Sequence, residues 1–123
     1  PGCTVLPLLT GDVDPADASG LLGALHDTGP GLLIVISSDL SHYLAYEPAM
    51  SRDERTAAAV TGLRWEDVGW DDACGRTAVQ AALLLARERS WRCELLDLRN
   101  SGDTAGTRDR VVGYGAFALG PSR

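Results

Sequence analysis

The apolar run Leu32-Leu33-Ile34-Val35-Ile36 is unbroken by any polar position and rich in β-branched residues, and it stops abruptly at Ser37-Ser38-Asp39-Leu40-Ser41-His42. A short run without alternation predicts a strand over 32–37 buried on both faces, as in the middle of a parallel sheet. Upstream, residues 4–9 predict a first strand ending at Thr10-Gly11-Asp12. Asp14-Pro15 then predicts a helix start, with Asp as the cap and Pro at the first helical position. That helix would turn Leu21, Leu22 and Leu25 inward and end near Thr28-Gly29-Pro30. Strand, helix and strand in this order predict a right-handed βαβ unit.

Beyond His42, Glu47-Pro48 opens a second helix whose polar stretch Ser51–Thr56 gives way to Ala57, Ala58, Ala59 and Val60 before Gly62. Residues 63–70, with Trp65 and Trp70, read as a connection containing one helical turn. A third helix is expected from Asp71-Asp72 to about Arg89. Its centre, Ala78 to Ala86, is apolar almost all round, the pattern of a buried helix. Trp91–Leu98 reads as a strand, 100–107 as a polar, glycine-punctuated loop, and Val111–Leu119 as a final strand. The small residues Gly113, Gly115, Ala116 and Ala118 imply close packing against a neighbour. The fold expected is α/β: a mixed, largely parallel sheet flanked by helices, in a single domain over 1–123.

The chain has 123 residues, 45% of them hydrophobic, and 11 basic against 17 acidic side chains give a net charge of −6. That balance argues against sequence-independent binding of nucleic acid, which needs a basic face. No apolar run approaches the ~18 residues of a membrane span, and no signal peptide opens the chain, so a cytoplasmic location without membrane association is expected. All the basic residues are Arg, which leaves no lysine for Schiff-base or phosphate chemistry. Cys3, Cys74 and Cys93 are odd in number and far apart, and the expectation is three reduced, mostly buried thiols rather than a disulfide framework. Pro1 stands where an initiating Met would, and this suggests a piece of a longer protein or a processed product.

In open α/β sheets ligands bind beyond the carboxyl ends of the strands, which is where Asp39 and His42 fall. A histidine near a carboxylate can act as general acid or base, or ligate metal. The alternative is a loop histidine capping backbone groups. Cys74 falls at the expected start of a long helix beside Arg76, and both features favour the thiolate. The alternative there is an inert buried thiol. Gly75 would let another group approach the backbone closely. His26, at the tail of the first helix, suits the helix dipole and is not a site candidate. The 100–107 loop is either a pocket wall or an ordinary structured turn. A catalytic transition-metal site commonly needs three protein ligands, and the clustered candidates are His42, Cys74 and Asp39.

The stretches Val35-Ile36-Ser37-Ser38-Asp39-Leu40-Ser41-His42-Tyr43, Ala73-Cys74-Gly75-Arg76 and Leu96-Asp97-Leu98-Arg99-Asn100-Ser101-Gly102-Asp103-Thr104, followed by Val111-Val112-Gly113-Tyr114, resemble the C-terminal half of the Memo family. In prokaryotes that family is called AmmeMemoRadiSam system protein B. The resemblance runs from about Val5 to Leu119. The family in turn resembles class III extradiol dioxygenases, which use non-haem Fe(II) in an α/β fold. The resemblance therefore implies a class III extradiol dioxygenase-like fold of which this chain is an incomplete half. It implies Cys74 as a metal ligand, His42 as the acid/base histidine and Asp39 as its acidic neighbour. Ser37, Ser38, Tyr43, Gly75, Asn100, Ser101 and Asp103 would complete the pocket. The two histidine ligands of the family pattern lie in its N-terminal half, so Fe(II) would require ligands outside this chain.

Three readings follow. The first is a metal-dependent, dioxygenase-like oxidoreductase of unknown substrate, with a thiolate in place of the carboxylate of the usual facial triad. The second is a non-catalytic module that binds a peptide or protein through the same pocket, the resemblance naming a radical-SAM system protein as one partner. The third is a structural fragment whose apolar seam would make it poorly soluble alone.

Overall fold

Asp14 accepts a hydrogen bond from the Ala16 amide at 2.8 Å, Pro15 follows at the first helical position, and helix α1 runs Pro15–His26. The computed structural model describes residues 2–104 and 106–122. The buried positions of α1 are not its leucines but Ser19 and Gly23, one turn apart. These small residues let α1 lie close against the third helix, and a Cβ on Gly23 would stand 3.3 Å from Leu85. Leu21, expected inward, is exposed.

The remaining elements are strand β1 (His42–Leu44), helix α2 (Tyr46–Thr61), a 3₁₀ turn (Trp65–Asp67), helix α3 (Arg76–Glu88), strand β2 (Trp91–Asn100), a 3₁₀ turn (Ser101–Asp103) and strand β3 (Val111–Pro121). Helix α3 begins later than the sequence suggests, because residues 70–75 form turns rather than a first helical turn. From Thr77 to Ala86 every residue of α3 is buried or half-buried, as its all-round apolar pattern implies. Its buried Gln80 donates to the carbonyls of Trp65 and Val68 at 3.1 and 3.0 Å, which fastens the 65–68 turn to the helix. The core gathers Ala59, Val60, Val68, Ala73 and Leu83, with Phe117 and Leu119 of β3 packed against it.

The sheet differs from the expectation in kind. It has three strands in the order β1-β3-β2, and both pairings are antiparallel. β2 and β3 form a long hairpin from Trp91↔Pro121 to Asn100↔Gly113, with Leu96 left over as a bulge between Leu95 and Asp97. Consecutive strands joined by so short a loop can only pair antiparallel. The expected strands at 4–9 and 32–37 are not part of any sheet, so the expected βαβ unit and largely parallel sheet are absent among the described residues. Leu33 and Val35 are 83% and 76% exposed, whereas Ile34, Ile36 and Leu40 turn inward. The segment therefore keeps the period-two geometry of a strand without a neighbour. Beside it lies an apolar groove of ≈ 450 Å³ lined by Leu22, Ile34, Ile36, Leu83 and Phe117. The strand expected at 32–37, buried on both faces, is not formed, because apolarity alone does not supply the partner strands that a parallel sheet requires. Among the described residues, no helix is long and apolar enough to cross a membrane.

The segment meets the sheet at Gly113. The Leu40 amide donates to the Gly113 carbonyl and the Gly113 amide donates to the Ser41 carbonyl, both at 2.8 Å. From there His42 pairs with Val112 and Leu44 with Val111. On the helical side, Gly113 lies directly under the carboxylate of Asp53 in α2, and a Cβ on Gly113 would overlap it. Gly113→Ala should therefore destabilise the protein by about 1–3 kcal/mol or more, the cost of overpacking. Gly120→Ala, where nothing lies within 4 Å of the added carbon, should change stability by less than about 0.5 kcal/mol. Urea unfolding of the two variants checks the contrast.

Candidate functional site

Residues 39–42 form a turn with two sides. Leu40 and Ser41 point inward and are buried, at 5% and 0% exposure. Ser41 donates its amide and its hydroxyl to Asp53 at 3.0 and 3.1 Å. With the middle of the turn pinned to β3 and α2, the flanking Asp39 and His42 project to the partly open side. His42 Nε2 stands 3.6 Å from Asp39 Oδ2, an electrostatic contact longer than a good hydrogen bond. Tyr43 follows in the left-handed region, at φ 59°, where the β1–β3 register is irregular. Its exposed ring meets His42 edge-on at 5.7 Å, and the Arg110 guanidinium lies over it at 5.0 Å.

Cys74 reaches this turn from the loop before α3. The two segments are joined by reciprocal bonds: the Cys74 amide donates to the Asp39 carbonyl at 3.2 Å, and the Asp39 amide donates to Cys74 Sγ at 3.2 Å. Ser38 Oγ donates to the Asp39 carbonyl at 2.8 Å, accepts from the Gly75 amide at 2.9 Å, and lies 3.7 Å from Cys74 Sγ. Gly75 is required for this approach, since a Cβ there would stand 2.9 Å from Ser38 Cβ and 3.0 Å from the Ser37 carbonyl oxygen. Ligand atoms of Asp39, His42 and Cys74 all lie within 4.8 Å of one another. The structure thus brings together Ser37, Ser38, Asp39, His42, Tyr43, Cys74 and Gly75 from two segments over thirty residues apart.

Asn100, Ser101 and Asp103 form a separate network. Asn100 and Asp103 close a capping box around the 3₁₀ turn, and the Tyr46 hydroxyl donates to Asp103 at 2.5 Å. That bond, with the Asn100 amide, holds the Asp103 carboxyl below its ordinary range and pushes the Tyr46 hydroxyl up. Ser101 Oγ accepts from the amide of Val112, the ladder partner of His42. The loop adjoins the turn through β3, but among the described residues none of its hydrogen bonds reaches Asp39, His42 or Cys74. Ala105, within the same loop, lies outside the described residues.

One residue of the site's framework escapes the sequence reading. Asp53 is 2% exposed, and burial pushes its carboxyl above the usual range while the two bonds from Ser41 pull it down. It sits in the polar stretch 51–56 of the second helix. The available signal was its spacing, since Ala49, Asp53 and Ala57 lie four residues apart on one helical stripe, and all three are buried.

The thiols also depart from expectation. All three cysteines are free, but Cys3 and Cys74 are exposed, and Cys93 alone is half-buried. Burial pushes the Cys93 thiol up to about 11. At pH 8 almost none of it is thiolate, the reactive form. Iodoacetamide should therefore modify Cys3 and Cys74 well before Cys93, an order readable by peptide mass spectrometry. Raising the pH toward the Cys93 value should narrow the difference.

Comparison with known proteins places these motifs in a family. Residues 3–118 match the model of the Memo-like protein family. A MEMO1 family protein of Saccharolobus solfataricus is 33% identical over 95 residues, covering 72% of this chain and 34% of that protein. One of Thermoplasma volcanium is 26% identical over 122 residues, covering 93% of this chain and 45% of its own length. One of Archaeoglobus fulgidus is 30% identical over 108 residues, covering 83% and 41%. The chain thus spans between a third and a half of the length of these relatives. With a family match over nearly its whole length, the chain belongs to the Memo-like protein family.

Proposed function

We propose that the turn at residues 39–42 and Cys74 form part of a non-haem iron site in a dioxygenase-like oxidoreductase. The observation that carries this reading is the convergence of a carboxylate, an imidazole and a thiol, with ligand atoms within 4.8 Å of one another. The donor this chain supplies fits a transition metal: thiolate sulfur suits iron, zinc or copper, whereas magnesium and calcium prefer all-oxygen shells. Cys74 is the ligand from this chain, and the Asp39 amide aimed at its sulfur suits a sulfur that carries negative charge. Further ligands come from outside these residues. Bound Fe(II) would supply the oxygen chemistry. His42, whose Nε2 stands 3.6 Å from Asp39 Oδ2, holds or moves a proton at Nε2. Tyr43 and Ser38 shape the approach. The substrate of this reading is a small oxidisable molecule of the catechol type.

The longest natural form of the protein, purified without oxygen, should hold near-stoichiometric iron, and Cys74→Ser should lose most of it. His42→Ala should keep the iron and lose oxygen uptake on catechols. Iron content unaffected by Cys74→Ser would remove the site. A folded, metal-free protein that captures a peptide or protein partner equally well after His42→Ala and Cys74→Ser would point to a binding module instead.

A further inference from the structure

We propose that Asp53 is a positioning residue for the site: through Ser41 it sets the separation and orientation of Asp39, His42 and, by way of the Asp39 amide, Cys74. The inference rests on the reading of those three residues as a functional group. Asp53 touches none of them. It is 2% exposed, and a carboxylate in such a place is costly to bury unless its oxygens are engaged. Both are: Oδ1 accepts the Ser41 amide at 3.0 Å and Oδ2 accepts the Ser41 hydroxyl at 3.1 Å. Ser41 is the residue between Leu40 and His42, so these bonds fix the orientation of a peptide group inside the four-residue turn that carries both polar site residues.

The third constraint comes from Gly113. It exchanges 2.8 Å backbone bonds with Leu40 and Ser41, and its lack of a side chain gives the Asp53 carboxylate its place. A change in the Leu40–Ser41 backbone would alter the separation of Asp39 and His42, because they flank it in the chain. It would also strain the reciprocal Asp39–Cys74 bonds at 3.2 Å. Groups bonded directly to a metal ligand ordinarily change metal affinity by roughly 10–100-fold when removed; Asp53 acts one residue further out, through Ser41, which places its effect at the low end of that range.

Cobalt(II) is the probe, titrated into the longest natural form of the protein and followed by the thiolate-to-cobalt absorption. Asp53→Ala should weaken cobalt binding at least about tenfold while leaving the thiolate band intact, because Cys74 is unchanged. Asp53→Asn, whose amide oxygen still accepts the Ser41 N–H, should restore most of the affinity. Each variant is measured well below its own melting temperature. Parent-like affinity in Asp53→Ala, or an Asn variant as weak as the Ala variant, would overturn the proposal. If the parent shows no thiolate band that disappears with Cys74→Ser, the metal reading has failed and the positioning claim is judged without metal. The chain has two histidines, so the ring resonances of His42 can be followed beside those of His26. In Asp53→Ala the His42 signals should shift and the His26 signals stay, with Asn returning His42 to its parent position. Unmoved His42 signals would overturn the proposal on this arm as well.

Discussion

Gly113 gives both of its backbone groups to residues 40 and 41, and the rest of the site is held in place through this exchange. It docks the strand-end turn onto β3. It also brings the turn beneath α2, where Asp53 closes over Ser41. Any side chain at position 113 would occupy the space of the Asp53 carboxylate. One residue without a side chain thus sets the distance between sheet and helix at the point where the site is built. The same principle recurs at Gly75, where the absence of a Cβ allows the loop before α3 to close on Ser37 and Ser38. Two segments far apart in sequence meet because a glycine faces each contact.

The local elements were legible because their signals are local. Asp14-Pro15 carries its own cap, α2 begins and ends within a residue or so of Glu47-Pro48 and Gly62, and the β2–β3 hairpin is bounded by its glycine-rich loop. Asp39, His42 and Cys74 stand out in the sequence by their place at element ends, and the structure brings their ligand atoms within 4.8 Å of one another. What pattern alone could not convey was pairing. The run 32–36 says that these side chains avoid water on both faces, and says nothing of which strands lie beside them. Asp53 was hidden for a related reason. A buried carboxylate and a solvated one have the same letter, and only the partner, Ser41, distinguishes them.

The segments 4–9 and 32–36 carry the exposed apolar residues Val5, Leu6, Leu9, Leu33 and Val35. Chains do not ordinarily leave such surface bare, and extended backbone with unpaired amides tends to acquire a neighbour. This exposed apolar stretch adjoins a closely bonded one. The boundary falls at Ser38, whose hydroxyl is engaged by Asp39 and Gly75. Beyond it every residue to His42 has a named contact to β3, α2 or Cys74.

That boundary explains how a sheet of unexpected type still produces the expected cluster. A parallel sheet was the reason for looking at the end of the 32–37 segment, because such sheets bind ligands beyond their strand ends. The antiparallel sheet removes that reason but not the cluster. The geometry of Asp39, His42 and Cys74 depends on the Asp39–Cys74 bonds, the Ser41–Asp53 bonds and the exchange at Gly113. None of these is a bond of the 32–36 run. Strands added beside that run would cover Leu33 and Val35 without touching the contacts that orient the turn. The site is therefore organised from its downstream side, by α2, the loop before α3 and β3. Substitutions on the exposed face of residues 32–36 belong to the association and solubility of the chain rather than to the arrangement of its polar cluster.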